Sequence, residues 1–594
     1  MLRAQRSVVS LVRHLMIGTA GTTALVLASS ALVGCKDESQ PEYWVEKLAE
    51  KQWQASAIKR LEQFYDDAYN KAGKKSDAPE VKALVDKIIA PLTQAYVEKY
   101  DELDQKSRVT LIKLICTFRD PRAEPAFKKA FEEFIKKPAT SKDDSDVKWV
   151  AMAVGDLKLA SMADLLIQAF GKLRASSMLG GVTYKDYLEA LRQMPQKSWA
   201  EPLKTLLQAD IEVPKKVDGK DDPEMIDRYR DQQLWQTGAA EILGELREES
   251  AVEPLLKALL DPQKADVAAT AVVALVKIGK PAQDRALKLL ASPEDPLAVF
   301  WAQKTQKATG SKDLPKDNLH IATAALVVGT IGRGEAIPAM VEALKKADKD
   351  VTRTVIAREL TKIPATADSK AAFKAAFEVI SSESNIPPGY NALQLLAESA
   401  AAFYDAGMID WLLERAEKTK GEGEALKALQ GAILVTALKL AKPDQLPKIK
   451  AFLDSMEAKE KGSTQFEAGL YAQAEKLLKE CGERAACYLS AMEKSENQEQ
   501  KNQFVAIKAG YMVAIYGNDQ VRDQLIGALS GLEQAALRHV AAGIIDFLSP
   551  KGSKEAADKL DEILKKNRAT GDANKIAGDN SLRQVSVRIR SRAG

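Results

Sequence analysis

Histidine is nearly absent from this 594-residue chain, which carries only His14, His320 and His539. With four cysteines in all, there is no His-x-x-Glu-His spacing and no set of further ligands that would complete a zinc centre. Aromatic residues make up 6% and strictly alternating apolar runs are scarce, which argues against a sheet protein. A Gly-x-Ser-x-Gly elbow, a Walker loop and a dinucleotide fingerprint are also missing, so no catalytic residue and no cofactor is expected. His320 and His539 each stand alone beside a helical segment and read as capping or surface residues. Asp143-Asp144-Ser145-Asp146 and Asp218-Gly219-Lys220-Asp221-Asp222 lack the ligand alternation and distal glutamate of a calcium loop, and read as solvated loops.

Net charge is missing too. The chain has 86 Lys+Arg against 83 Asp+Glu, but Arg3, Arg6 and Arg13 lie in the first 34 residues, which hold no acid. Without that segment the balance is 83 against 83, which excludes a bulk basic surface for nucleic acid. The same segment has a basic start, an apolar stretch from Leu15 to Leu32 and a small-residue end, the chemistry of a secretory signal. Gly18, Thr19, Gly21, Thr22, Thr23, Ser29 and Ser30 make it too polar for a spanning helix. It ends in Leu32-Val33-Gly34-Cys35, which resembles the bacterial lipobox. That resemblance implies cleavage after Gly34 and acylation of Cys35, giving a membrane-anchored lipoprotein. Lys36, standing where an inner-membrane retention aspartate would be, favours the outer membrane, with the chain facing the periplasm or the surface. Lys36 to Pro41 reads as a short tether.

What the chain has in abundance is helical period. Val252, Leu255, Leu256, Leu259 and Leu260 fall on one face of a helix, and Val267 to Ile278 keeps the same repeat. Glycines and prolines gather between such stretches, as at Gly279-Lys280-Pro281, Ser292-Pro293 and Ser549-Pro550. Five segments are self-similar: Ile115–Phe131, Val154–Phe170, Leu243–Leu259, Val328–Leu344 and Ala437–Leu453. Each shows an apolar helix end, a polar turn and an amphipathic helix. From landmark to proline is seven residues at Phe118–Pro125, Ile331–Pro338 and Leu440–Pro447, and eight at Leu246–Pro254. Proline there predicts the first turn of the second helix, where a missing N–H costs least. Asp266 and Asp350, just before Val267 and Val351, are expected N-caps. The landmarks Leu157 and Leu246 stand 89 residues apart, room for two units plus the charged insertion Pro214 to Asp227.

These segments resemble HEAT repeats, especially the short bacterial type of the phycobilisome-lyase-like proteins, with Ala251 to Pro281 the best match. The resemblance implies an all-α fold, an α-solenoid of antiparallel helix pairs whose stacked faces share one core. The expected organisation is a signal peptide (1–34), a lipidated N-terminus and tether (35–41), a HEAT-like solenoid (42–380), and continuing helical repeats with a C-terminal capping helix (381–594). That terminal helix carries Arg583, Arg588, Arg590 and Arg592 opposite an apolar Leu582–Val585–Ile589 face and reads as a cap with a basic outer side.

After Cys35 three cysteines remain. Cys481 and Cys487 flank Gly482 at a helix corner and are expected to form a disulfide, which suits an oxidising compartment. Cys116 lies in the apolar TLIKLICTF stretch and reads as a core thiol. Trp44, Trp53, Trp149, Trp199, Trp235, Trp301 and Trp411 read as core between repeats, with any exposed one a candidate anchor. A solenoid of this kind implies a scaffold or assembly factor with a protein or peptide partner. The alternatives are an enzyme or ligand-binding receptor with its site in the concave groove, or a structural spacer in the envelope.

Overall fold

The computed structural model describes residues 37–138, 143–175, 184–214, 222–313, 315, 318–386, 389–419, 424–459, 462, 464–494, 503–570 and 573–593. The lipobox residues Leu32, Val33, Gly34 and Cys35 lie outside them. The described chain is all-α apart from a two-residue hairpin, Asn385–Ile386 against Tyr390–Asn391. It forms two compact units, Met1–Ala95 and Tyr96–Gly594. Residues on either side of position 380 belong to the same second unit.

In the first unit, Pro41 is the first residue of the helix Pro41–Lys47, so the tether ends at Gln40. Asp37 to Gln40 form a turn in which Gln40 N–H donates to the Asp37 carbonyl, and the Trp44 indole donates to Glu38 O at 2.8 Å. Trp53 is 40% exposed, the one tryptophan of the seven left open to solvent. The others are buried or half-buried, as expected of residues packed between helices.

In the second unit the repeat is more regular than the sequence suggested. From the residue just before each left-handed turn position to the first residue of the next helix is six residues, at Phe118–Glu124, Leu157–Ala163, Leu246–Val252, Ile331–Ile337 and Phe403–Ile409. Each join holds one left-handed residue and one turn of 3-10 helix. The left-handed positions are Arg119, Lys158, Arg247, Gly332 and Tyr404, with φ between 47° and 69°. A left-handed residue satisfies the last carbonyls of a helix and reverses the chain. Four of the five copies meet that need without glycine, at a cost of roughly 1 kcal/mol each. Pro125, Pro338 and Pro447 sit at the second position of their helices, as their spacing required. The gap between Leu157 and Leu246 holds a further turn at Lys197–Trp199, leading into Ala200–Gln208. Asp266 and Asp350 are not N-caps. Both lie inside the first turn, and they accept from neighbouring elements instead: Tyr229 OH reaches Asp266 at 3.1 Å and Ser381 N–H reaches Asp350 at 3.1 Å.

The stacking is held by buried cations as well as by apolar faces. Lys264 donates to the carbonyls of Leu207 and Ala209 at 2.6 and 2.7 Å, and Lys508 to those of Lys439 and Ala441 at 3.1 and 2.5 Å. Each ammonium reaches the carbonyl end of a helix one layer back, where the macrodipole favours positive charge. Burial nevertheless pushes the Lys264 ammonium down to about 8, from the ordinary 10.5. The folded value lies below the unfolded one, so stability contributed by this residue rises with pH from about 8 to 10.5 and is lost as pH falls. Lys264→Met is therefore expected to flatten the rise by roughly 2 kcal/mol between pH 8 and 10. Urea midpoints of both proteins across that range check it, and equal slopes would refute it.

The acidic stretch at 143–146 is not a solvated loop. Asp144 and Lys148 are fully buried and paired at 3.1 Å, and Asp146 takes Arg108 Nε at 2.7 Å and Tyr96 OH at 2.8 Å. Asp143 receives Arg108 Nη2 and Lys137 at 2.6 and 2.7 Å. These charges tie the start of helix Ser145–Leu157 to the preceding pair. Of the second acidic stretch, 218–221 lie outside the described residues, and Asp222 caps helix Pro223–Glu245. His320 is likewise not at the surface: it is 5% exposed against Trp301, ring centroids 5.0 Å apart, and burial lowers its pKa.

Candidate functional site

The helix-to-helix neighbours in the second unit lead to a closed circuit. Gln105–Thr117, Ser145–Leu157, Tyr184–Gln193, Pro223–Glu245 and Ala265–Ile278 pack in succession. From Ala265–Ile278 the succession runs through Leu319–Ile331, Asp350–Leu360, Ala392–Ser399, Glu424–Leu440, Gln503–Tyr516, Ala535–Phe547 and Ala573–Arg592. The last of these packs back on Ala265–Ile278. The array thus begins as an open stack and ends as a ring.

The terminal helix makes the seam, which overturns its reading as a cap with a basic outer side. Leu582 and Ile589 are fully buried and Val585 nearly so. Arg588 is 8% exposed: it pairs with Asp546 at 3.0 Å and donates to the Lys362 carbonyl across the seam at 2.5 Å. Arg592 shares Asp546, and Arg590 pairs with Asp558 and Asp561, both at 2.7 Å. From the other side Arg333 donates to Ser591 O at 2.8 Å. Gly279 and Gly332 face Ser591 and Arg588 closely enough that a Cβ would collide with their side chains. Arg588 and Arg592, which looked like part of a surface patch, are structural.

A cavity of about 950 Å³ opens within the ring and is lined by residues from Thr330 to Arg592. Its size is that of a small-molecule site. One wall is aromatic: Tyr404 lies 4.7 Å from Phe547 and 5.1 Å from Tyr511, centroid to centroid. Tyr404 fills the left-handed repeat position that elsewhere holds Arg119, Lys158, Arg247 or Gly332. Its hydroxyl lies where a side chain on residue 543 would begin, 2.5 Å from that Cβ position, so Gly543 is what lets the ring lie there. Burial raises the Tyr404 and Tyr511 phenols, which stay protonated at neutral pH. His539 is exposed on this wall with Nδ1 2.8 Å from Ser581 Oγ, so the surface reading holds for this histidine. Sequence reasoning missed the cavity, since its walls come from residues over 200 positions apart.

Cys481 and Cys487 are joined in a disulfide, Cα atoms 5.4 Å apart, with Gly482 left-handed at φ 58° between their helices. Cys116 is fully buried and its thiol is pushed up by burial, so it holds no nucleophile at neutral pH. Among the described residues no group of three or more His, Cys, Asp or Glu side chains is placed to hold a metal ion, and no helix is long and apolar enough to cross a membrane.

Stacked antiparallel helix pairs with a six-residue join define an all-α repeat protein of the solenoid class. Residues 235–261 match the family model described as PBS lyase HEAT-like repeat. No curated protein matches it in sequence. Similar solved structures include a Kap121p mutant at 10% identity and TM-score 0.36, covering 91% of this chain and 69% of that one. Importin beta in an ammonium sulfate condition matches at 10% identity and TM-score 0.29, covering 93% and 85%. An engineered protein matches at 15% identity and TM-score 0.22, covering 86% and 98%.

Proposed function

We propose that the protein is a lipoprotein of the bacterial envelope, anchored through acyl chains on Cys35 and acting as a protein-binding scaffold or assembly factor through its HEAT-like surface. The observation that carries the anchor is Leu32-Val33-Gly34-Cys35 placed where the apolar stretch of a signal ends. Multiple acyl chains hold a protein to a membrane far more firmly than one, at ~0.8 kcal/mol per buried methylene. Only residues 36–40 separate Cys35 from the first helix, a reach of at most ~22 Å, so the first unit would stand close to the headgroups. The disulfide fits an oxidising compartment. A binding role, rather than catalysis, is supported by the repeats themselves, which build extended faces, and by the lack of any catalytic motif in the sequence.

Cys35→Ala is expected to abolish incorporation of labelled palmitate in cells and to release the protein from the membrane fraction. Continued labelling would overturn the anchor. Crosslinking in living cells followed by mass spectrometry is expected to recover a discrete protein partner from the anchored form, and recovery of none would count against the scaffold.

A further inference from the structure

The ring cavity carries a charge its own residues do not balance. Five cations line it: Arg358, Lys362, Lys370, Arg588 and Arg592. Lys370 pairs with Asp405, and Lys362 with Glu359 just behind the wall at 2.7 Å. Arg588 and Arg592 divide one carboxylate, Asp546, between them, and the Nε of each is buried without an acceptor. The remaining lining acid, Glu398, acts on Lys439 outside the cavity. Arg358 is exposed into this space, and no described residue offers its guanidinium an ion pair. One free planar fork and a half-compensated arginine pair leave the cavity positive.

The same space has an apolar surface that is not covered. Phe547 is 37% exposed, the only exposed large apolar side chain of the described residues to line this cavity. Its ring and those of Tyr404 and Tyr511, tilted by 45° and 34° at their two contacts, make an aromatic platform of which Phe547 is the exposed part, open to a flat apolar body. Aromatic rings and an unpaired guanidinium lining one cavity are complementary to a molecule that is flat and apolar at one end and anionic at the other, because the guanidinium takes a carboxylate through two parallel hydrogen bonds.

We propose that the ring cavity is a binding site for a small organic acid with a flat apolar body, its carboxylate on Arg358 and its body on the Phe547–Tyr404 platform. This site is independent of lipid anchoring and of any protein partner on the solenoid faces.

Calorimetric titration of the chain from Cys35 onward tests it, with naphthalene-2-carboxylate, naphthalene-2-carboxamide and inorganic phosphate as probes. The carboxylate is expected to bind once per chain and at least tenfold more tightly than the amide, while phosphate alone gives no saturable heat. Arg358→Gln and Phe547→Ala should each weaken the carboxylate about tenfold or more, with Arg358→Lys recovering part of the loss. Phe466→Ala, which removes an exposed aromatic outside this cavity, should leave it unchanged. Both wall residues are exposed, and unchanged circular dichroism would show that the variants fold. Equal affinity for acid and amide would overturn the role of charge. Binding unaffected by both wall variants would place the ligand elsewhere, and no saturable binding of either aryl probe would sink the proposal.

Discussion

Asp579→Ala is expected to destabilise the last repeats by about 3–5 kcal/mol, because it leaves a fully buried arginine without its counter-charge. Arg538 and Asp579 are both completely enclosed. The guanidinium spends its donors in two directions: Nε and Nη2 go to Asp579, and Nη1 to the carbonyls of Leu529 and Leu532 at 2.7 and 2.8 Å. Asn567 completes the carboxylate at 3.2 and 3.3 Å. Gly578 allows the approach, since a Cβ there would stand 2.7 Å from Arg538 Cδ. One side chain therefore joins helix Ala535–Phe547, the turn before it and the terminal helix. Removing the carboxylate strands a charge in a place water cannot reach, and the cost of desolvating it is not returned. Arg538→Met with Asp579→Leu removes both charges and should recover most of the loss. Thermal midpoints and amide exchange of residues 535–547 measure it. A loss below 1 kcal/mol for Asp579→Ala would mean that water enters the site.

What the sequence disclosed and what it hid divide along the range of the interactions. The helix pairs, the proline positions and the Cys481–Cys487 bridge depend on residues within a few turns of each other, and their spacing shows them. The left-handed join does not show, because Arg119, Lys158, Arg247 and Tyr404 meet a conformation usually signalled by glycine. Burial of charge is hidden for a different reason. Asp144 and Asp146 stand in a polar run and look solvated, yet their partners Lys148 and Arg108 lie on helix faces that become interior only when pairs stack. The terminal arginines mislead in the same way. No acid lies among residues 582–594, but Asp546, Asp558 and Asp561 wait on the two preceding helices. His320 looks like a surface residue until Trp301 from the preceding helix covers it. Ring closure is the extreme case, a contact between one end of an array and its middle, for which repeat periodicity holds no signal.

That closure can be made covalent. Gly279→Cys combined with Ser591→Cys is expected to form a disulfide under mild oxidation, joining positions about 310 residues apart. A Cβ built on Gly279 lies 3.9 Å from the Ser591 Cβ, within the ~3.5–4.5 Å that a disulfide spans. If the terminal helix were a free cap at the far end of an open solenoid, these positions would never meet. Gly279 has φ 79°, so Gly279→Cys alone should cost about 1–3 kcal/mol of backbone strain. Crosslinking so long a loop removes unfolded-state entropy equivalent to about 6 kcal/mol by the chain-entropy model, enough to offset that strain. In a Cys35→Ala background Cys116 is enclosed and the Cys481–Cys487 pair already bonded, so no native thiol competes with the new ones. On a non-reducing denaturing gel the oxidised double variant should run as a faster, looped species that reverts with reductant, and it should melt above its reduced form. Adding Arg333→Ala and Arg588→Met, which removes the Arg333–Ser591 and Arg588–Lys362 bonds across the seam while leaving the two thiols in place, should slow crosslinking severalfold. Absence of the looped species, with both thiols titratable and the protein folded, would show that the ring stays open.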